Sequence, residues 1–502
     1  MPQHLSFLLD FPVLIAAIFI CGIGGSFQYG FCVSVMTSPS AFIKDLVNKT
    51  CVHRYNRSLE TWQVSLIWSF TMSIFCIGGL IGSLAAGPLA SKFGRKRCLL
   101  FNNFVAIVGA ILMVLSQAAM SFEMIMVARF LYGANAGVGL SAHAMYLNEC
   151  APKKLRVMVG VTVATFLALG KFCGQLLGIR ELLGTERNWP WLLGVNGFTA
   201  VLQLLTLPLL PESPRFLLLE TGDFRASEQA FKKLWGQVDY MKEVEEMLKE
   251  KADLLSIRSH SVLELIQNQT LRWQLFTIIA VFAALQLCGI NAVYFYSFDV
   301  LRAAGIPDHK LAYAALGTGL CEVSTSVASF TIIEGMGRKA VLFRGYMGMS
   351  AALALLTVTV YLQRNVSWMP YCSMVLIFIF IFFFSSGPAA TTVSLPGEIF
   401  TQSFKLAGYT LGCTINWITL FVLGMLFPIL VEKMDNFCFL IFLATCFLCG
   451  MHVRFNMPET KHRTALEIAA EFDRIHHKHG KPQRRKSTEE EMCDVKTHET
   501  KF

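Results

Sequence analysis

Long apolar runs separated by short polar loops make up most of this chain. A membrane span needs about 20 mostly apolar residues. Twelve runs reach that length, at 11–31, 66–89, 99–117, 123–145, 157–178, 190–210, 273–296, 311–333, 341–362, 369–395, 406–430 and 436–456. In lipid such a run must satisfy its backbone groups internally, so each is expected to be an α-helix. The first run lacks the basic start and small-residue cleavage site of a signal peptide and is long enough to span, so it is expected as a retained helix. Three polar segments have any size, at 38–65, 211–272 and 457–502. The middle one is charged and helix-prone (MKEVEEMLKEKADLL) and divides the spans six and six. The expected protein is all-α, with a six-helix bundle over 1–210, a cytoplasmic helical linker over 211–272, a second six-helix bundle over 273–456 and a cytoplasmic tail over 457–502.

Composition agrees. Of 502 residues, 54% are hydrophobic and 15% charged, against about 25% charged in a soluble domain. The 37 glycines and 16 prolines are scattered through apolar runs, as membrane helices tolerate. Most of the 15 cysteines (Cys21, Cys76, Cys173, Cys321, Cys413 and Cys446 among them) lie inside those runs, where a thiol behaves as a small apolar group. Only Cys51 falls in a loop expected outside, so no disulfide framework is expected.

The net charge of +9 reads as membrane orientation, with no nucleic-acid partner. Alternate short loops hold Lys92, Arg95, Lys96 and Arg97, then Lys153, Lys154 and Arg156, then Arg338, Lys339 and Arg344. The tail adds Arg484, Arg485 and Lys486. Basic residues in short loops mark the cytoplasmic side, which places both termini there. The opposite loops are sparser and mixed in sign, with Arg180, Glu181, Glu186 and Arg187, then Glu432, Lys433 and Asp435. The loop 38–65, on that outer side, holds two glycosylation triplets, at Asn48 and Asn56.

Charged loop motifs repeat across the halves. Gly94-Arg95-Lys96 returns as Gly337-Arg338-Lys339, 243 residues later. Glu149 with Arg156 returns as Glu398 with Lys405, offset 249, and the Glu212 of PESPR returns as Glu459, offset 247. Each pair follows the matching span of its half. Parallel halves of this kind are the architecture of major facilitators, in which two bundles rock about a midplane site. The inner-face residues Arg95, Glu149, Arg156, Glu212, Arg215, Glu334, Arg338, Glu398, Lys405 and Glu459 are expected to latch one state of that cycle. Topology alone needs Lys and Arg but not the paired Glu.

These motifs resemble those of the facilitative sugar transporter family. The matching segments are GSFQYG in the first span, Arg129-Phe-Leu-Tyr-Gly133, MYLNECAPKKLR, PESPR, QLCGINAVYFY at 286–296, Asn416-Trp417 and PETK at 458–461. They occur in family order over about 11–465, and IRELLG, GTGLCEV and GPAATTV resemble the class II branch. The resemblance implies the major facilitator fold and passive uniport of a hexose, glucose or fructose, across the plasma membrane, with no cofactor. It assigns solute contacts to Gln28, Tyr29, Gln286, Asn291, Asn416 and Trp417. Amides both donate and accept hydrogen bonds to hydroxyls, and an aromatic face stacks on a sugar ring.

Several family positions differ. Ala164 replaces a sugar-binding Gln, Leu285 stands in a Gln-Gln pair, and GPAATTV lacks two prolines and an aromatic. Lys171 and Glu322 bring charges to positions of solute contact. Lys171 lies 15 residues past the inner Arg156, and Glu322 lies 16 before the inner Arg338. At 1.5 Å per residue both sit about 22–24 Å from the inner surface. An unpaired charge there costs roughly 3 kcal/mol, so the two are expected to pair across the halves, with snorkelling or a water-filled cavity as alternatives. Cys32 stands where proton-coupled relatives carry an Asp, beside Arg129, which favours uniport; Glu322 offers another protonatable group.

Two other functions keep the same scaffold: a carrier of a charged or zwitterionic metabolite, and a non-transporting solute sensor. No phosphate-binding Gly loop, nucleophile motif or acid–base constellation suggests an enzyme. His476, His477 and His479 lack the cysteines and the fold of a structural zinc site. The run Arg484-Arg-Lys-Ser487 has the form of a basic-directed phosphorylation site, but the expected reading is a solvated juxtamembrane basic run, of the kind that also meets anionic lipid.

Overall fold

The computed structural model describes residues 8–236, 240–255, 258–363, 365–434, 437–461 and 463–476, without the side chains of 157, 253–255, 329–335 and 432. The side chain of Glu334, and His477, His479 and the run 484–487, lie outside the described residues.

Among the described residues, twelve helices of membrane length follow in order. The first half has α1 (Pro12–Gly24 and Ser26–Ser34), α2 (Thr61–Phe93), α3 (Arg95–Leu115), α4 (Phe122–Cys150), α5 (Arg156–Leu177) and α6 (Trp189–Thr206). The second has α7 (Arg272–Leu287, Ile290–Phe295 and Ser297–Ala303), α8 (Leu311–Gly335), α9 (Arg338–Leu362), α10 (Met369–Ser386, Pro388–Thr391 and Leu395–Ile399), α11 (Gln402–Met434) and α12 (Cys438–Asn456). Ten are both long and apolar enough to cross a membrane. The other two, α4 and α8, are 29 and 25 residues long. They carry internal polar groups, among them Arg129 and His143 in α4 and Glu322 in α8.

Without a hydrophobic drive between them, helices in lipid associate by close backbone packing at small residues. Here α2 and α4 meet on glycines four apart on each helix. A Cβ added at Gly133 would lie 2.0 Å from the Phe75 carbonyl, and one at Gly137 2.3 Å from that of Gly79. In return, one at Gly78 would lie 2.1 Å from the Phe130 carbonyl and one at Gly82 2.3 Å from that of Ala134. The pair α1 and α5 uses the same device, Gly30 against the Leu167 carbonyl and Gly170 against that of Phe27.

The halves meet where α2 packs on α11 and α5 on α8. Four helices, Pro214–Leu219, Phe224–Trp235, Met241–Leu255 and Val262–Gln267, form the linker. They lie at the end of the molecule that bears the Gly94 and Gly337 loops, called here the motif end. The polar segment 38–65, at the far end, contains a helix the apolar pattern does not show. Ser40–Tyr55 buries Ile43, Leu46, Val47 and Cys51.

Candidate functional site

Broken helices place the polar groups of the seam. In α7 the break falls at Gly289, whose φ of +93° is open to glycine at no steric cost. A Cβ there would also approach Phe442 to 2.6 Å. The turn brings Asn291 back over Gln286. Asn291 Nδ2 donates to Gln286 Oε1, and Gln286 Nε2 donates to Asn416 Oδ1 of α11 at 2.6 Å. This amide chain, buried at Gln286 and Asn291 and partly open at Asn416, leaves Asn291 Oδ1 and Asn416 Nδ2 to accept from and donate to a hydroxyl.

Beside it stands an aromatic group drawn from both halves. Tyr29 of α1 meets Trp417 of α11 edge-on at 5.8 Å between ring centroids, and Phe75 of α2 lies 6.0 Å from the same indole. Trp417 Nε1 donates to Ser83 Oγ at 2.8 Å, and its ring lies against Gly79, where any side chain would collide. Phe75, Ser83 and Tyr294 are not among the expected contacts. No motif marks Phe75 or Ser83, and nothing singles out Tyr294 within QLCGINAVYFY; their places at the seam are found only once α2, α7 and α11 are packed together.

Lys171 and Glu322 do pair across the halves. Lys171 Nζ donates to Glu322 Oε1 at 2.9 Å and to Oε2 at 3.2 Å, with the side chains 5% and 7% exposed. The ammonium also lies 4.2 Å from the centroid of the Tyr294 ring. Further towards the far end, Gln175 Nε2 donates to Thr318 Oγ1 at 3.2 Å and Thr37 Oγ1 to the Tyr294 carbonyl at 2.9 Å. Beyond these, Tyr313 Oη donates to Glu181 Oε1 at 2.6 Å and holds that carboxyl below its ordinary range. The seam is thus closed from the pair to the far end.

Gln28 is a correction to the expected solute contacts. It is fully buried inside the first half, where its Nε2 donates to Thr199 Oγ1 of α6 at 3.1 Å and its Oε1 accepts from Asn135 Nδ2 of α4 at 2.7 Å. Both ends of the amide are engaged, so it braces α1 and does not line the seam. Arg129, also fully buried, donates to the carbonyls of Cys32 at 2.7 Å and Met72 at 3.2 Å and sits 4.5 Å over the Phe75 ring.

At the motif end the repeat is a repeat of geometry. Glu212 Oε1 accepts the backbone N–H groups of Lys96 and Ser213, both at 2.9 Å. Glu459 Oε1 accepts those of Arg338 at 2.7 Å and Thr460 at 3.0 Å. Arg95 Nε pairs with Glu149 Oε2 at 2.9 Å, and Arg338 Nε with Glu398 Oε1 at 3.2 Å. Ser213 and Thr460 donate their hydroxyls to those same two glutamates. The near-neighbours along the chain are therefore not the partners. Glu149 bonds Arg95 rather than Arg156, and Glu398 bonds Arg338 rather than Lys405. Arg156 reaches Glu243 of the linker at 2.5 Å, and Arg215 reaches Glu250 at 2.9 Å. The linker joins the second half through His260, whose ring stacks on Phe404 at 4.4 Å.

Asn48 lies on the helix Ser40–Tyr55, and the Thr50 of its triplet is fully buried and donates to the Met120 carbonyl. Asn56 caps that helix in a left-handed turn and is exposed along with Arg57 and Ser58. His476 stacks on Trp273 at 4.1 Å.

Two helical bundles of membrane length, with discontinuous helices and a polar, aromatic seam between them, define a solute carrier. The chain belongs to the sugar transporter family: residues 17–472 match the family described as sugar (and other) transporter. It is 43% identical to human solute carrier family 2, facilitated glucose transporter member 9, over 90% of this chain and 84% of that protein. It is 40% identical to human member 11 over 93% and 94%, and 40% to member 5 of Ovis aries over 91% of each. Among solved structures, the inward open xylose transporter XylE from E. coli superposes with a TM-score of 0.73 at 18% identity, over 91% of this chain and 99% of that one. At that identity the likeness shows the fold, that of the major facilitators.

Proposed function

We propose that this protein carries a hexose such as glucose or fructose passively across the plasma membrane by alternating access. The observation that carries the reading is the pairing, at one seam between two bundles, of an aromatic group (Tyr29, Trp417) with an amide chain (Gln286, Asn291, Asn416). The first offers flat apolar surface to a sugar ring, and the second offers donors and acceptors to its hydroxyls. Uniport is supported by Arg129. Its guanidinium is held by the backbone carbonyls of Cys32 and Met72, and residue 32, where proton-coupled relatives carry an Asp, is a cysteine.

The basic loops support a cytoplasmic motif end, with both termini on that side. The paired motif-end charges then act as latches that tie α2, α3 and α4, and their repeats α8, α9 and α10, into units that move as bodies. A second reading, a carrier of charged or zwitterionic metabolites, is favoured by one observation, the buried Lys171–Glu322 pair. Uptake of labelled glucose, fructose and charged compounds into vesicles holding the purified protein separates the two. Saturable hexose entry supports the first; entry of charged solutes alone overturns it.

A further inference from the structure

The Lys171–Glu322 pair is accounted for neither by the motif-end latches nor by the amide chain, yet it borders the latter. Asn291 of the chain and Tyr294 beneath the ammonium stand three residues apart on the short piece Ile290–Phe295 of α7, one turn of the same helix. Between the pair and the motif end, α5 leaves part of one face uncovered. Residues 160, 164 and 171 share one face of α5 at helical spacing. Gly160 and Ala164 are exposed, with nothing within 4 Å of a Cβ at Gly160, whereas Lys171 is buried. A solute moving along that face passes Ala164, where no side-chain amide waits, and arrives at the ion pair.

We infer that Lys171 and Glu322 set the charge selectivity of this carrier: as a pair of zero net charge they admit electrically neutral polyhydroxylated solutes and reject singly charged ones. The inference rests on the hexose reading. In a buried site the stable arrangements are those in which each charge keeps a partner. A neutral sugar preserves this, because its hydroxyls accept from the remaining ammonium N–H groups and donate to the carboxylate while the pair stays joined. The pair thereby supplies the donor and acceptor that a Gln at position 164 would give. A sugar acid brings a third charge and leaves the site at −1. A protonated amino sugar leaves it at +1. Either excess is buried away from water, and among the described residues the side-chain contacts given for the pair are Tyr294 and each other, with no further counter-charge.

Removing one partner should therefore open the path to the opposite sign. The test is uptake of glucose, glucuronate and, at a mildly acid pH that protonates it, glucosamine into vesicles holding wild-type protein, Glu322→Gln, Lys171→Gln or the swap Lys171→Glu with Glu322→Lys. Wild-type protein is expected to carry glucose on the order of tenfold or more faster than either charged sugar. Glu322→Gln should raise the glucuronate-to-glucose ratio about tenfold, and Lys171→Gln the glucosamine-to-glucose ratio likewise. The swap should keep the wild-type preference. Thermal melts establish that each variant is folded. If a single variant does not fold, the swap carries the test, and loss of its neutral preference overturns the inference. So do unchanged ratios in folded single variants that still carry glucose, or a wild-type protein that carries glucuronate as fast as glucose. Wild-type protein that carries no hexose at all overturns the hexose reading instead, before any variant is compared.

Discussion

Glu212 Oε1 lies 2.9 Å from the backbone nitrogen of Lys96 and so closes the first turn of α3 from a loop 116 residues further along the chain. Glu459 does the same for α9 through the nitrogen of Arg338, at 2.7 Å. A carboxylate there satisfies orphaned N–H groups and meets the positive end of the helix dipole. Losing such a cap costs about 1 kcal/mol. Glu212→Ala and Glu459→Ala are each expected to lower the melting temperature of the purified protein, and the double variant to do so additively, since the sites share no contact. Thermal melts that leave both single variants unchanged would contradict the capping role.

Arg338 is tied to Glu398 and Arg156 to Glu243, all far along their helices from the amide chain. Replacing either arginine by alanine is expected to slow turnover while leaving hexose affinity nearly intact, because it shifts the balance of conformations and not the contacts of the solute. Binding and initial-rate measurements on the same purified variant decide this. An equal loss of both counts against the latch.

Gln286 sits in the middle of the amide chain, with Asn291 on one side and Asn416 on the other. Taking away one partner from a buried polar group costs about 1–3 kcal/mol. Gln286→Ala and Asn291→Ala should each weaken hexose binding about tenfold, with Gln286→Ala the worse because it strands two neighbours. Normal transport by both variants would mean that the solute path lies elsewhere.

Of the two glycosylation triplets, the one at Asn56 stands open at a helix end, while Thr50 of the other is buried against Met120. Asn56→Gln is expected to abolish the glycan-dependent gel shift of protein made in a secretory host, and Asn48→Gln to leave it in place. The reverse pattern refutes the assignment.

Much of this was legible in the chain before folding. Apolar runs locate the twelve membrane-length helices because lipid leaves the backbone no other solution. The matching level of Lys171 and Glu322 could be counted because helical rise is constant, and the two do meet. Facing is harder to read. Gln28 and Tyr29 are adjacent, yet one points between α4 and α6 and the other to the seam; the piece Ser26–Ser34 of α1 is buried on nearly all sides, so no polar stripe tells them apart. The motif-end partners could not be read from the chain for a related reason. Glu149 and Arg156 are close in sequence, but a short turn separates them, while the N-terminus of α3 delivers Arg95 directly onto the end of α4. The helix Ser40–Tyr55 escaped notice because a partly buried surface helix of mixed polarity lacks an apolar run.

The central claim is that the chain carries hexose passively, and the ratio of free hexose inside to outside at steady state tests it most directly. Vesicles holding the purified protein are given labelled hexose with and without an imposed pH gradient. The account predicts a ratio of one in both cases, reached faster than in empty vesicles. Accumulation that follows the pH gradient, or entry no faster than in empty vesicles, would contradict it.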